Sequence, residues 1–404
     1  MGAGDVVNGV IDVYPNQWKE TVLPFTPARY NEFLGMNIPE EHMLNTLTGL
    51  GCRVENGSIH VPSWRADLGC MNDIAEEVCR VYGYDKIEAS YMNAETTLGG
   101  RSDKQLFEVN TEAALVGMGL SQIHTFSFIS PKYYDKIRMP ADSALRRSVE
   151  ISNPLGEDTS VMRTTALPSM MEVLARNNNF NNENVALFEI ATIYLPHEAA
   201  NELPDEQKVL TLGMYGKTDF YEMKGVCENV LHLAGIRNAT FTACTDNATY
   251  HPGRCAKILA EDGTVLGIFG QAHPTMAANY DMSLPVYVAE LAFDAIYAAA
   301  NTKKAYKPLP KYPATTRDFS FVCDEDMEVG AIEGVMAKAG GKLVENVALF
   351  DIYRGPQLGE GKKSVSLRVT LRAADRTLTV EEADKVTKKI LSDLKFKMGL
   401  ELRN

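Results

Sequence analysis

No run in the 404 residues approaches the roughly 18 consecutive apolar positions that a membrane helix needs. The opening MGAGDVVNGVIDVYP also lacks the basic and apolar regions of a secretion signal. Cysteine is sparse and scattered. Its seven positions, 52, 70, 79, 227, 244, 255 and 323, make no CxxC and no Cys/His spacing of a zinc ligand set, which excludes a legible disulfide framework or structural zinc and points to reduced core residues. GxSxG, HExxH, Walker A and GxGxxG patterns are all missing, so the usual signatures of hydrolase, metalloprotease and nucleotide-loop chemistry are excluded. His124, His251 and His273 each stand alone, the last two beside proline in turn-like settings, and supply neither a triad nor a ligand set. Positive charge is short as well. The formal net charge of −13 argues against a chain that wraps nucleic acid along its whole length. From Leu309 onwards, however, 16 Lys and Arg face 15 Asp and Glu, so RNA contact is expected there rather than earlier.

What is present reads as an α+β multidomain protein. A hydrophobic share of 45% and a charged share of 23% suit a globular chain, and 404 residues should divide into two to four domains. Residues 1–20 carry no periodicity and read as a remnant or linker. In 21–92, a helix opening at Pro39-Glu40-Glu41 places Met43, Leu44, Leu47 and Leu50 on one face. A hairpin follows around Asn56-Gly57, then a helix over 72–82 that stops at Gly83.

The third region, 93–302, is organised around the stretch 150–194. Leu167, Met170, Met171 and Leu174 predict a helix over 166–176, and Val185, Leu187, Phe188, Ile190, Ile193 and Tyr194 predict a strand after it. Around these lie a helix at 103–117, strands at 121–126, 209–215 and 286–291, a helix at 220–234 and a hairpin at 257–268, so an antiparallel sheet with helices is expected, the strand near Glu290 closing it. KKAYKPLPKYP, 303–313, marks a linker because closely spaced prolines break both helix and sheet. Beyond it, 314–404 reads strand 317–322, helix 329–339, strands 344–353 and 363–371, helix 379–395 and strand 400–403, the βαββαβ order of a ferredoxin-like domain.

Asp67, Asp73, Glu76 and Glu77 surround one strand-to-helix turn. The spacing admits two readings. Acids in a first helical turn offset the unpaired N–H groups and the positive end of the dipole; four carboxylates at one turn also suit a hard cation such as Mg²⁺. The helix over 72–82 offers Arg80 against three acids, the wrong sign for approaching DNA phosphates.

VPSWRADLGCMNDIAEEVCRVYGYDKI, NPLGEDTSVMRTTALP, LFEIATIY, GIFGQAHP, YPATTRDFSFV, LFDIYRG and GKKSVSLRVTLRAADRTLT together resemble the beta subunit of bacterial phenylalanyl-tRNA synthetase over about residues 10–404. The resemblance implies a helical, winged-helix-like B5 module, a degenerate class II synthetase-like domain and a C-terminal ferredoxin-like anticodon-binding domain. It implies Mg²⁺ at Asp67, Asp73, Glu76 and Glu77 near the partner subunit, while Gly69-Cys70-Met71 departs from more acidic relatives. It implies tRNA contact through Asp351, Tyr353, Arg354, Lys362 and Lys363, with Tyr353 stacking on a splayed base and the cations on the backbone. Arg317-Asp318 is read as a structural pair.

No catalytic residues are expected. Catalysing relatives carry an Arg and an acid in one motif and a glycine-rich segment ending in Arg in another, whereas here LAFDAIYAAA follows Glu290, and Arg163 and Glu157 read as structural or interface residues. The resemblance implies that a separate alpha subunit binds ATP and makes phenylalanyl-adenylate within a cytoplasmic α2β2 heterotetramer that charges tRNA(Phe), this chain alone being inactive, with no membrane or DNA partner. The family's front half, including its editing domain, is not visible, so editing is not expected of this chain. The rival readings are a stand-alone class II-like ATP-dependent ligase and a non-enzymatic RNA- or DNA-binding protein.

Overall fold

The computed structural model describes residues 2–198, 202–303, 305, 306 and 308–403; Lys304 and Lys307 of the expected linker fall outside them. The chain separates into two compact units, Met1–Gly100 and Arg101–Asn404.

The first unit holds β1 (Thr21–Pro24), α1 (Pro27–Leu34), α2 (Glu40–Gly49), β2 (Arg53–Glu55), β3 (Ser58–Val61) and α3 (Met71–Tyr82). Its small sheet has the order β1-β3-β2, all antiparallel, and Asn56 and Gly57 take the positive φ values, 53° and 72°, that a tight two-residue turn requires. Tyr30, Met43, Leu47, Ile59, Ile74 and Val78 are fully buried together, so α2 and α3 each contribute an apolar face to a single core and α1 adds Tyr30. β1 and α1 had no counterpart in the sequence reading; α1 buries Tyr30 alone, which gives no spacing to detect.

The second unit opens with α4 (Asp103–Gly117), β4 (Ser121–Gln122), β5 (Phe128–Ile129), α5 (Tyr133–Lys136), β6 (Val161–Met162), α6 (Leu167–Asn179), β7 (Val185–Leu195), β8 (Asp205–Tyr215), α7 (Phe220–Leu233), β9 (Thr240–Ala243), β10 (Tyr250–Leu259), β11 (Val265–Ala272), α8 (Pro274–Ala278), β12 (Val286–Ala292) and α9 (Phe293–Ala299). Seven strands form one sheet in the order β4-β7-β8-β12-β11-β10-β9. All neighbours are antiparallel except the short β4·β7 pair. The strand bearing Glu290 therefore lies in the middle of the sheet and does not close it. The strand expected over 121–126 stops after Gln122, because Thr125 turns its N–H and hydroxyl onto the buried Glu189 carboxylate at 3.1 and 2.7 Å and leaves the ladder. Helix α6 lies against β8 at Gly213, where a Cβ would stand 2.7 Å from Met170 and 2.8 Å from Leu174.

The chain ends in β13 (Thr315–Asp324), α10 (Val329–Gly340), β14 (Val344–Tyr353), β15 (Lys362–Leu371) and α11 (Val380–Met398). Thr379 and Glu382 close a capping box at the start of α11. The sheet order is β13-β15-β14, and the expected fourth strand is reduced to one bridge from Leu402 to Phe321, beside β13. Phe319, Phe321, Val365, Leu367 and Val369 pack with Ile332 and Met336 of α10 and Ile390 and Leu394 of α11, so both helices cover one face of the sheet. Arg317 and Asp318 do not pair with each other. As strand neighbours they point to opposite faces, Arg317 reaching Asp384 at 3.3 Å and Asp318 taking two bonds from Arg368. Six of the seven cysteines are buried; Cys70 is exposed, against the expectation that all lie in the core.

Candidate nucleic-acid interface and acidic turn

Along β15, Val365, Leu367 and Val369 face the helices, which sends Ser364, Ser366 and Arg368 to the other side. Ser366 lies opposite Ser320 of β13, their hydroxyls 2.8 Å apart, and both Ser364 and Ser366 are buried. On the other flank, β14 is paired with a register shift between Leu349 and Asp351, so Phe350 is an extra, bulged residue. Beyond the bulge Asp351 stands opposite Ser366 and Tyr353 opposite Ser364. The resulting face has a floor of small hydroxyls edged by two aromatics, each with its own cation. Arg368 sits over the Phe350 ring at 5.3 Å, and Arg403 over the Tyr353 ring at 5.4 Å. Arg403 is fixed there by its N–H, which donates to the Ser320 carbonyl at 2.8 Å.

Of the five residues the sequence reading put at this interface, Asp351 and Tyr353 belong to the face. Arg354 is exposed and tied to Glu325 at 2.7 Å, an interaction that holds the Glu325 carboxyl below its usual range. Lys362 is bonded to Asp324 at 2.5 Å. Lys363 requires a correction. It is 7% exposed and its Nζ donates to the Glu325 carbonyl at 2.7 Å, because as an odd-numbered β15 residue it points to the helix side. Phe350, Arg368, Arg403 and the serines were missed. The alternation SVSLRV signals Ser364, Ser366 and Arg368 in the sequence; the bulge at Phe350 and the return of the tail do not show there.

At the acidic turn, Arg65 donates to both Asp67 oxygens, at 3.0 Å and 2.7 Å, and to Glu77 Oε2 at 3.1 Å. Arg80 completes Glu77, donating at 2.8 and 3.3 Å, and these bonds keep the Glu77 carboxyl below its usual range despite burial. Asp73 Oδ2 accepts the N–H groups of Gly69 and Cys70, both at 2.8 Å, capping α3. Glu76 is exposed. Among the described residues no three His, Cys, Asp or Glu side chains are gathered so as to hold a metal ion. The residues present do not fit the implied magnesium site, because the carboxylates of Asp67, Asp73 and Glu77 are already committed to arginine or to backbone N–H.

In the seven-stranded sheet, Arg163 is 2% exposed and spends its donors on the Thr192 carbonyl, the Thr125 hydroxyl and Glu189, at 2.9, 2.7 and 3.4 Å. It is a buried structural cation. Glu157 is exposed and paired with Lys132 at 2.8 Å. Glu290 accepts from the Thr165 hydroxyl at 2.7 Å and the Ala166 N–H at 2.8 Å, at the start of α6, and burial raises its pKa. His251 and His273 each accept at Nδ1 from the N–H two residues on, Gly253 and Thr275, as turn histidines do.

A helical module with a small hairpin, a large sheet with helices, and a ferredoxin-like domain bearing an aromatic and cationic face define a multidomain α+β protein of the aminoacyl-tRNA synthetase class. Three family models match in chain order: the tRNA synthetase B5 domain over residues 23–84, the phenylalanyl tRNA synthetase beta chain CLM domain over 87–293, and the ferredoxin-fold anticodon binding domain over 310–403. The chain belongs to the phenylalanyl-tRNA synthetase beta chain family. It is 40% identical over 407 residues to the phenylalanine–tRNA ligase beta subunit of Clostridium acetobutylicum, covering 100% of this chain and 51% of that protein, and equally to that of Clostridium tetani. The chain thus spans about half the length of the curated relatives it matches. Among solved structures, pyrrolysyl-tRNA synthetase from Desulfitobacterium hafniense aligns at a TM-score of 0.42 and 17% identity, over 49% of this chain and 70% of that one.

Proposed function

We propose that this chain is the scaffold and anticodon-binding portion of the beta subunit in a phenylalanine–tRNA ligase. It works in the cytoplasm in an α2β2 assembly whose alpha subunit binds ATP, activates phenylalanine and charges tRNA(Phe). The observation that supports this best is the outer face of the ferredoxin-like sheet, where the exposed rings of Phe350 and Tyr353 are available for base stacking and the exposed Asp351 can accept hydrogen bonds from base edges, over a floor of small, buried serines. Arg403 supplies positive charge for the RNA backbone, and Arg368, Arg354 and Lys362, now paired with Asp318, Glu325 and Asp324, can do so where phosphates compete for them. Lys363 is left out of this set by its burial.

In such a ligase Mg²⁺ neutralises the ATP phosphates as pyrophosphate leaves. No residue of this chain is given that role, and the chain alone is expected to be inactive. The test is co-purification with the alpha subunit of the same organism, followed by phenylalanine-dependent ATP–pyrophosphate exchange with and without each chain. A complex with exchange only when alpha is present supports the reading. Exchange by this chain alone would favour a stand-alone ligase, and tRNA binding without any affinity for alpha a non-enzymatic RNA-binding protein.

A further inference from the structure

We infer that Arg65 is the resident cation of the acidic turn, so that its guanidinium takes the place of a divalent metal and the free chain has no magnesium site at Asp67, Asp73, Glu76 and Glu77. The guanidinium makes a forked contact with Asp67 and spans to Glu77, which is 8% exposed and whose remaining oxygen is met by Arg80. Asp67 and Glu77 thus face two guanidinium groups, which offsets the charge of these two carboxylates and weakens the attraction a metal would meet at them. Mg²⁺ demands oxygen ligands at about 2.0–2.1 Å in near-octahedral geometry. To recruit Asp67 and Glu77 it would have to expel Arg65, whose side chain is only 20% exposed, and leave a largely enclosed guanidinium without a counter-ion.

The backbone holds Arg65 in place. Its N–H donates to the Pro62 carbonyl at 3.0 Å, and its own carbonyl accepts from Leu68 at 3.2 Å, fixing the turn from which the side chain reaches both acids. Asp73 cannot substitute as a ligand without giving up the N–H groups of Gly69 and of the N-cap Cys70, just before α3. Glu76, on the exposed side of the helix, is left alone, and one exposed carboxylate does not hold Mg²⁺.

The experiment uses the full chain. Thermal melts in EDTA and in millimolar MgCl2, with calorimetric titration of MgCl2, are expected to show the same melting temperature and no saturable binding. R65M is expected to melt lower by roughly 4–8 °C in the transition of the first unit. Should R65M fail to fold, R65K carries the same test, keeping the charge but losing the fork, and is expected to melt below the wild type, without a magnesium response. Saturable one-to-one magnesium binding by the wild type that D67N abolishes would overturn the inference, as would an R65M or R65K melt indistinguishable from wild type.

Discussion

Glu290 carries an ionisable group into the centre of a seven-stranded sheet, where it lies opposite Thr211 of β8 and caps the start of α6. Burial raises its pKa above the ordinary 4.5. A carboxyl with a raised folded pKa binds more protons folded than unfolded, so stability falls as pH rises from about 4.5 through the folded value. Wild-type melting temperature is therefore expected to decline across that window, and Glu290→Gln, which keeps an acceptor for Thr165 and Ala166, to flatten the decline. A melt series from pH 4.5 upwards checks it; parallel curves for the two proteins would refute it. At the proposed RNA face, a Cβ on Gly355 would stand 2.3 Å from the Tyr353 hydroxyl, while the backbone there is extended and tolerates any residue. Gly355→Ala is thus expected to move the ring and weaken tRNA(Phe) binding roughly tenfold, within the 1–3 kcal/mol that one stacked base contributes, with little change in melting temperature.

Among the elements, α6 was legible because Leu167, Met170, Met171 and Leu174 all fall on the buried side, and Met170, Met171 and Leu174 are fully enclosed. Its partner was not legible, since nothing local says that β8 meets it at Gly213. Gly213→Val would drive a branched side chain into Met170 and Leu174. We expect a loss of about 1–3 kcal/mol by overpacking, measured by denaturant unfolding, and partial recovery when Met170→Ala is added. The same limit explains the central place of β12: strand order depends on pairings far apart in sequence, which composition and alternation do not encode. The bulge at Phe350 escaped for a related reason. Leu349, Phe350 and Asp351 read as plain strand, and only the pairing with β15 reveals the extra residue.

Across the whole molecule, the segment 88–100 is exposed throughout and joins no helix or strand, with Tyr91 and Leu98 fully open to solvent. Brief digestion with chymotrypsin is expected to cut there first and to leave a folded fragment beginning near residue 92 that retains tRNA binding; first cuts inside 103–299 would contradict the two compact units. Most of the ferredoxin-like order could be read from apolar spacing, because β13 buries Phe319, Phe321 and Cys323 in alternation and α10 and α11 each bury one stripe, whereas β14 buries none of its residues and the last strand is a single bridge. The acidic turn was read in its residues but not in its pairings. Arg65 stands two positions before Asp67 yet twelve before Glu77, and only the folded turn brings the three together.

Arg403 has a practical consequence for anyone handling the protein. Because Leu402 bridges to β13 and Arg403 stacks on Tyr353, any peptide joined directly after this residue leaves from the rim of the proposed RNA face. A purification handle or a surface tether placed there would shield the surface that a binding assay is meant to read, so immobilisation belongs at the other end of the polypeptide.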